Sequence, residues 1–160
     1  MILDQQHLKS ILKYDARTGH FRWLKCAHPE LVGQRAGSKD KKGYVQIQIA
    51  GKIYKAHRLA WLWMTGKFPI AHVDHRNALT GDNRWTNIRS VTRTVNQQNI
   101  RLPKKNNHSG FLGVIKKGAR WRAAITVDGK GKYLGTFNTP EEAHQAYLNA
   151  KRKFHPGNTL

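Results

Sequence analysis

Residues 72–99 read HVDHRNALTGDNRWTNIRSVTRTVNQQN, which places an Asp-His pair at Asp74–His75, a DNR turn at 82–84, and Asn87, Asn96 and Asn99 in one short stretch. The spacing predicts that Asp74 and His75 end one strand of a hairpin and that the DNR turn returns the chain. Asn87 is then expected on the second strand, and Asn96 on a following helix. Cleaving a phosphodiester needs a group to deprotonate water, oxygen donors for a hard divalent cation, and a side chain to hold both in register. His75, with an ordinary pKa near 6.5, suits the first task at neutral pH. The Asp74 carboxylate and the Asn96 amide oxygen suit one Mg²⁺ or Mn²⁺ ion, which binds few protein ligands and keeps waters and substrate oxygens. Asn87, bonded to the His75 ring or to a carbonyl of its loop, suits the third.

Composition agrees with a polyanionic partner. Lys and Arg outnumber Asp and Glu 29 to 9 in 160 residues, giving a formal charge of +20 and a pI near 10.6. Residues 1–103 hold 18 Lys/Arg and 6 Asp/Glu, and residues 104–160 hold 11 and 3, so both halves are expected on the same polyanion. No basic amphipathic helix, lipidation signal or long apolar run points to a membrane. The opening MILDQQHLKS lacks the layout of a signal peptide, which predicts a cytoplasmic protein. Cys26 is the only cysteine, so neither a disulfide framework nor a Cys-rich zinc knuckle is available.

Around the central stretch the pattern is that of an α+β protein. Leu3, Leu8, Ile11 and Leu12 predict a helix near residues 5–13 with Asp4 as N-cap. Phe21 and Trp23 alternate as in a short strand, and residues 25–42 read as irregular. Val45, Ile47 and Ile49 alternate with Gln46 and Gln48, Ala50-Gly51 offers a turn, and residues 52–55 complete a hairpin. HRLAWLWMT, from His57 to Thr65, is continuously apolar and predicts a buried helix ended by Gly66 and Pro69, with Trp61 and Trp63 in the core. RLPKKNNHSG, residues 101–110, reads as a basic linker between a domain at 1–100 and one at 111–157. Beyond it, three strands precede TPEEAHQAYLNAKRKF, where Thr139, Pro140 and Glu142 form a complete helix start. The inner face of the sheet is expected to carry Trp121, Ala123, Ile125 and Val127. Arg122, Ala124 and Thr126 face outward.

The run DH, DNR, N-I-R and a later Asn closely resembles the HNH endonuclease motif, whose ββα-metal fold uses one divalent ion. The resemblance implies His75 as general base, Asn87 as its positioning partner, and Asp74 with Asn96 as metal ligands. Asn96 stands where many members have His, which favours a hard metal over Zn²⁺ or Ni²⁺. GYVQIQIAGKIYKAHRLAWLWMTGKFP, residues 43–69, looks like the hairpin and helix preceding the motif in phage-type members. Residues 106–155, with SGFLGV, WRAAI, YLGTF and TPEEAHQAY, resemble the AP2 DNA-binding domain, a three-stranded antiparallel sheet packed on one helix that reads the major groove of double-stranded DNA. Carried over by position, Lys117, Arg122 and Tyr133 keep suitable types on the sheet face. Ile115, Ala124 and Thr126 stand where that family often has Arg or Glu, so methyl contacts and DNA shape replace some bidentate readout. Arg120 in the preceding turn is a phosphate contact, as are Arg84 and Arg89 beside the motif, and Lys104 and Lys105 follow the backbone between modules. The combination resembles the free-standing homing endonucleases of bacteriophages.

Other readings of the same residues remain open. The H-x-x-H spacing of His72 and His75 lacks a second His or Cys pair at zinc spacing. Asp74 could pair with a nearby Arg, Asn96 or Asn99 could bond locally, and His57 could serve as a cap or a buried hydrogen-bonding group. Two functions follow: a metal-dependent endonuclease that docks through its C-terminal module, or a DNA-binding regulator keeping an HNH-like fold. A single active site on a chain with no obvious dimer seam predicts a monomer that nicks.

Overall fold

The first helix is set by its cap. The Asp4 side chain accepts from the His7 backbone N–H at 2.7 Å and opens α1, Gln5–Ile11. The helix does not reach residue 13, because Leu12 and Tyr14 are buried on one face of a strand, a period of two hidden inside the apolar run LKSILKY. This strand, β1 (Leu12–Asp15), pairs antiparallel with β2 (His20–Trp23). Tyr14 stacks on Phe21 across the pair, with ring centroids 4.7 Å apart, and Trp63 packs edge-on against both rings.

The computed structural model describes residues 3–103 and 105–158. The segment read as irregular contains a short 3-10 turn, Pro29–Leu31, and a two-residue strand, β3 (Ser38–Lys39). β3 joins the hairpin β4 (Val45–Ile49) and β5 (Lys52–Lys55) in a three-stranded antiparallel sheet. Val45, Ile47 and Ile49 are buried in the same core as Leu59, Ala60 and Leu62 of α2 (Ala56–Thr65). That helix stops at Gly66, whose left-handed φ of 80° lets its N–H close on the Leu62 carbonyl. Trp63 lies in this core, and Trp61 pairs with Trp85 at 5.3 Å. β6 (His72–His75) and β7 (Ile88–Val91) form the antiparallel pair expected around the DNR turn.

The chain divides into two units, Met1–Arg93 and Thr94–Leu160. The division falls inside α3 (Arg93–Gln98), before residue 100, where the sequence had suggested the first domain ends. The physical reason is bonding within the second unit: the Lys151 ammonium donates to the Ile100 carbonyl, and the Gly157 N–H donates to Oε1 of Gln98 at 2.9 Å. Part of the expected linker is also built. Asn107 and Ser109 side chains close a turn on the Phe111 and Val114 carbonyls. From there β8 (Val114–Lys117), β9 (Arg120–Val127) and β10 (Lys130–Phe137) form an antiparallel sheet with β9 in the centre. α4 (Pro140–Phe154) packs on it through Ala143 and Ala146, against Val114, Ala123 and Trp121. Its N-terminus is a full capping box: Thr139 accepts from the Glu142 N–H at 3.2 Å, and Glu142 accepts from the Thr139 N–H at 3.3 Å.

One glycine fastens the first hairpin to the DNR turn. Gly19 has a φ of +74°, and a Cβ there would lie 2.4 Å from the Arg84 nitrogen and 2.5 Å from the Asn83 carbonyl carbon. Alanine in the left-handed region costs about 1–2 kcal/mol, and overpacking against backbone adds about 1–3 kcal/mol. Gly19→Ala is therefore expected to lower the unfolding temperature of the first unit by about 10 °C or more, as read by calorimetry. An unchanged melting temperature would mean that this close approach is not made in solution.

Candidate active site

The site is built on the β6–β7 pair, whose register sets Asp74 opposite Arg89 and His75 opposite Ile88. Between the strands, residues 76–87 form a loop held by side-chain amides. Asn87 is central to it, but it sits in a 3-10 turn, Trp85–Asn87, just before β7 rather than on the strand. Its backbone N–H is already committed to the Arg84 carbonyl at 2.9 Å, a turn bond that delays the strand by one residue. The Asn87 side chain is buried and spans the loop: Oδ1 accepts from the Asn77 N–H at 3.0 Å and Nδ2 donates to the Asp82 carbonyl at 2.7 Å. Of the two anticipated roles for Asn87, these bonds are those of a loop brace.

The side chain that bonds the His75 ring is Asn83. Oδ1 of Asn83 lies 3.1 Å from Nε2 of His75, and both residues are buried, at 2% and 3% exposure. Nδ2 of Asn83 turns to the Gly81 carbonyl at 3.4 Å, which fixes the amide with its oxygen toward the ring. An amide oxygen only accepts, so Nε2 carries the proton and Nδ1 holds the lone pair of a neutral His75. Burial lowers the His75 pKa below the ordinary range; the Asn83 bond and the Asp74 and Asp82 charges act in the opposite direction. At neutral pH the ring is therefore the uncharged form a general base requires.

Asn83 is anchored in turn. The Tyr14 hydroxyl of β1 donates to the Asn83 carbonyl at 2.6 Å, and the Trp85 N–H donates to the Ala16 carbonyl at 3.0 Å. Asp82 receives Nε of Arg84 at 2.8 Å on Oδ1, and on Oδ2 the Arg84 Nη2 at 2.6 Å and the Asn77 amide at 2.7 Å. These bonds, the Arg84 one above all, hold the Asp82 carboxyl down at about 2. At the tip of the loop Ala78 takes a φ of 60°, a conformation that costs an L-residue energy and that the surrounding amide network enforces.

Asp74 is buried at 8%, and Arg89 reaches it across the strands, donating from Nε at 3.1 Å and from Nη2 at 2.9 Å, both to Oδ2. Arg89, expected as a phosphate clamp, thus braces the carboxylate. Arg84 is exposed while paired with Asp82, and His72 is exposed on β6. Asn96 lies half-buried on α3 in the second unit, and Asn99 is buried with its N–H bonded to the Asn96 carbonyl at 3.2 Å. Among the described residues no group of three or more His, Cys, Asp or Glu side chains could hold a metal ion. The donor that the first unit offers from the motif is the Asp74 carboxylate. Such a donor fits a hard cation that keeps its own waters, and a ligating carboxylate is normally braced as Arg89 braces Asp74.

On the second unit, Arg122 stacks over the Tyr133 ring at 5.2 Å, and the Tyr133 hydroxyl meets that of Thr136 at 2.7 Å. Lys117, Arg120, Thr126 and Tyr133 are exposed, Arg122 is half-buried, and Arg120 donates to the Thr136 carbonyl at 3.2 Å. Lys105 is exposed, and Lys104 lies outside the described residues.

Residues 54–98 match the model of the HNH endonuclease family. The chain carries an HNH endonuclease domain and is an endonuclease by class. Asp74, His75, Asn83, Asn87 and Asn96 all fall within the matched HNH segment. The chain is also similar to a solved structure, the HNH homing endonuclease I-HmuI, described for its DNA binding and cleavage. The identity is 20%, the TM-score 0.47, and the match covers 97% of this chain and 93% of that one. No curated protein sequence matches the chain. No described helix of the chain is long and apolar enough to cross a membrane.

The bond between Asn83 and the His75 ring was not anticipated from sequence. The signal available was the place of Asn83 in the DNR turn: a buried amide eight residues after a histidine is a candidate partner for the ring. Nothing local marked it above Asn87.

Proposed function

We propose that this protein is a metal-dependent DNA endonuclease that cuts one strand per binding event. The observation that carries the reading is a buried His75 held through Nε2 by Asn83 inside the segment matching the HNH family. Nδ1 of His75 takes the proton of the attacking water. Asn83 orients the ring, Asn87 holds the loop that carries Asn83, and Arg89 fixes the carboxylate of Asp74. HNH nucleases generally use a divalent metal ion, and Asp74, with Asn96 on the evidence of the motif, would hold one Mg²⁺ or Mn²⁺. When bound, such an ion supplies electrophilic stabilisation of the scissile phosphate and of the leaving oxygen.

The substrate is read as double-stranded DNA from the charge of +20 and from the sheet of the second unit. On the AP2-like reading, Lys117, Arg120, Arg122, Thr126 and Tyr133 meet DNA from the sheet side, Lys104 and Lys105 follow its backbone, and Arg84 contacts phosphate near the cut. The Arg122–Tyr133 stack supports that surface, since it stiffens a cationic side chain on an exposed face. One histidine base and one ion make one hydrolytic centre, so a monomer yields nicks, as expected of a phage-type homing endonuclease.

The test is incubation of supercoiled plasmid and phage DNA with purified protein, in Mg²⁺ and in EDTA. Open-circle product that appears only with Mg²⁺ is the expected result. DNA that is retarded in a gel yet uncut in every lane would overturn the reading in favour of a DNA-binding regulator.

A further inference from the structure

A second histidine lies against His75 and has no place in the chemistry described so far. His57, near the start of α2, is buried at 7% exposure, and its ring meets that of His75 edge to face, with centroids 5.0 Å apart and planes at 82°. Tyr44 closes the third side, 5.5 Å from His57 and 6.0 Å from His75. The sequence suggested a cap or a buried hydrogen bond for His57. The N-cap of α2 is instead Lys55, which makes no side-chain cap bond, and Nδ1 of His57 is buried with no hydrogen-bond partner. A buried polar atom left unbonded is costly, so hydrogen bonding at Nδ1 is not what holds the ring in place. What the ring has is its packing against His75 and Tyr44.

The consequence for His75 is geometric. The Asn83 bond holds the ring at Nε2, and the rings of His57 and Tyr44 pack against it as well. Those aromatic contacts limit how far the imidazole turns out of the orientation the Asn83 bond gives it.

We infer that His57 is a positioning residue for cleavage, acting through ring-to-ring contact that locks the His75 imidazole in its reactive orientation. The inference rests on the reading of His75 as the general base. It predicts that His57→Leu, which fills the space without a ring, lowers kcat about tenfold while KM and DNA retention in gels stay unchanged. His57→Phe, which restores the ring without the nitrogens, is expected to cleave within about threefold of the native rate. In NMR spectra the ring protons of His75 should shift in the Leu variant and stay near their native positions in the Phe variant.

Two results would overturn the inference: native kcat in His57→Leu, or a kcat in His57→Phe as low as in His57→Leu. If His57→Leu does not fold, as judged by circular dichroism, His57→Met takes its place with the same expectations. His75→Ala run alongside separates the two readings. Cleavage persisting there sinks the general-base assignment itself, and the NMR shifts then still decide whether His57 orients the ring.

Discussion

His75→Ala is expected to reduce cleavage by about 10³-fold or more while leaving DNA retention within a few-fold. The two effects separate because His75 is 3% exposed and adds no surface charge, whereas the proposed binding draws on exposed Lys and Arg side chains present in both units. Asn83→Ala is a graded companion. It keeps the imidazole and removes the acceptor that fixes its tautomer, so kcat should fall by about ten- to a hundredfold with DNA affinity intact. Single-turnover assays on a nicked-product substrate, with gel retardation in parallel, check both. A His75→Ala variant that cuts at the native rate would assign the base to another residue, and an Asn83→Ala variant at the native rate would remove Asn83 from the positioning of the ring.

What could be read along the chain was whatever is local. The period of two in residues 45–49, the apolar run of α2 and the Thr139–Glu142 capping box each announce their element over a few residues, and each appears where it was expected. The Asp74–His75 pair was legible for the same reason, as adjacent residues in a recognisable motif.

The supports of the site were not legible, because they come from far away in sequence. Tyr14 is 69 residues from the Asn83 carbonyl it bonds, and Gly19 packs its Cα face on the same turn. Arg89 braces Asp74 only because the β6–β7 register sets them opposite, a pairing that a shift of one residue would destroy. β1 was lost for a different reason. Leu8 and Leu12 are both buried, so a helix and a helix-then-strand give almost the same spacing over so short a run. The N-terminal hairpin therefore looked peripheral in sequence, yet it fastens the turn that holds the base.

Acid should destabilise the first unit well before its carboxylates titrate. Burial holds His57 neutral down to about 3 and lowers His75 below the ordinary range, whereas both titrate near 6.5 once unfolded. Above that pH neither state binds the protons and the full stability is present. As the pH falls below it, the unfolded chain takes up protons that the folded unit refuses, and each histidine removes about 1.4 kcal/mol per pH unit until its folded pKa is reached. Asp82 acts in the same direction over a lower window. Its pKa, held at about 2, adds stability above the unfolded carboxylate value that is lost as the pH drops through about 2. Urea unfolding followed by tryptophan fluorescence reports this unit, since Trp23, Trp61, Trp63 and Trp85 lie in it and only Trp121 lies in the other. The midpoint is expected to fall steadily from pH 6.5 to 4.5, and His57→Phe should remove one histidine's share of the slope. A midpoint that stays flat across that range would show that both rings titrate in the folded protein as they do in the unfolded chain, and that burial of the two imidazoles carries no acid penalty.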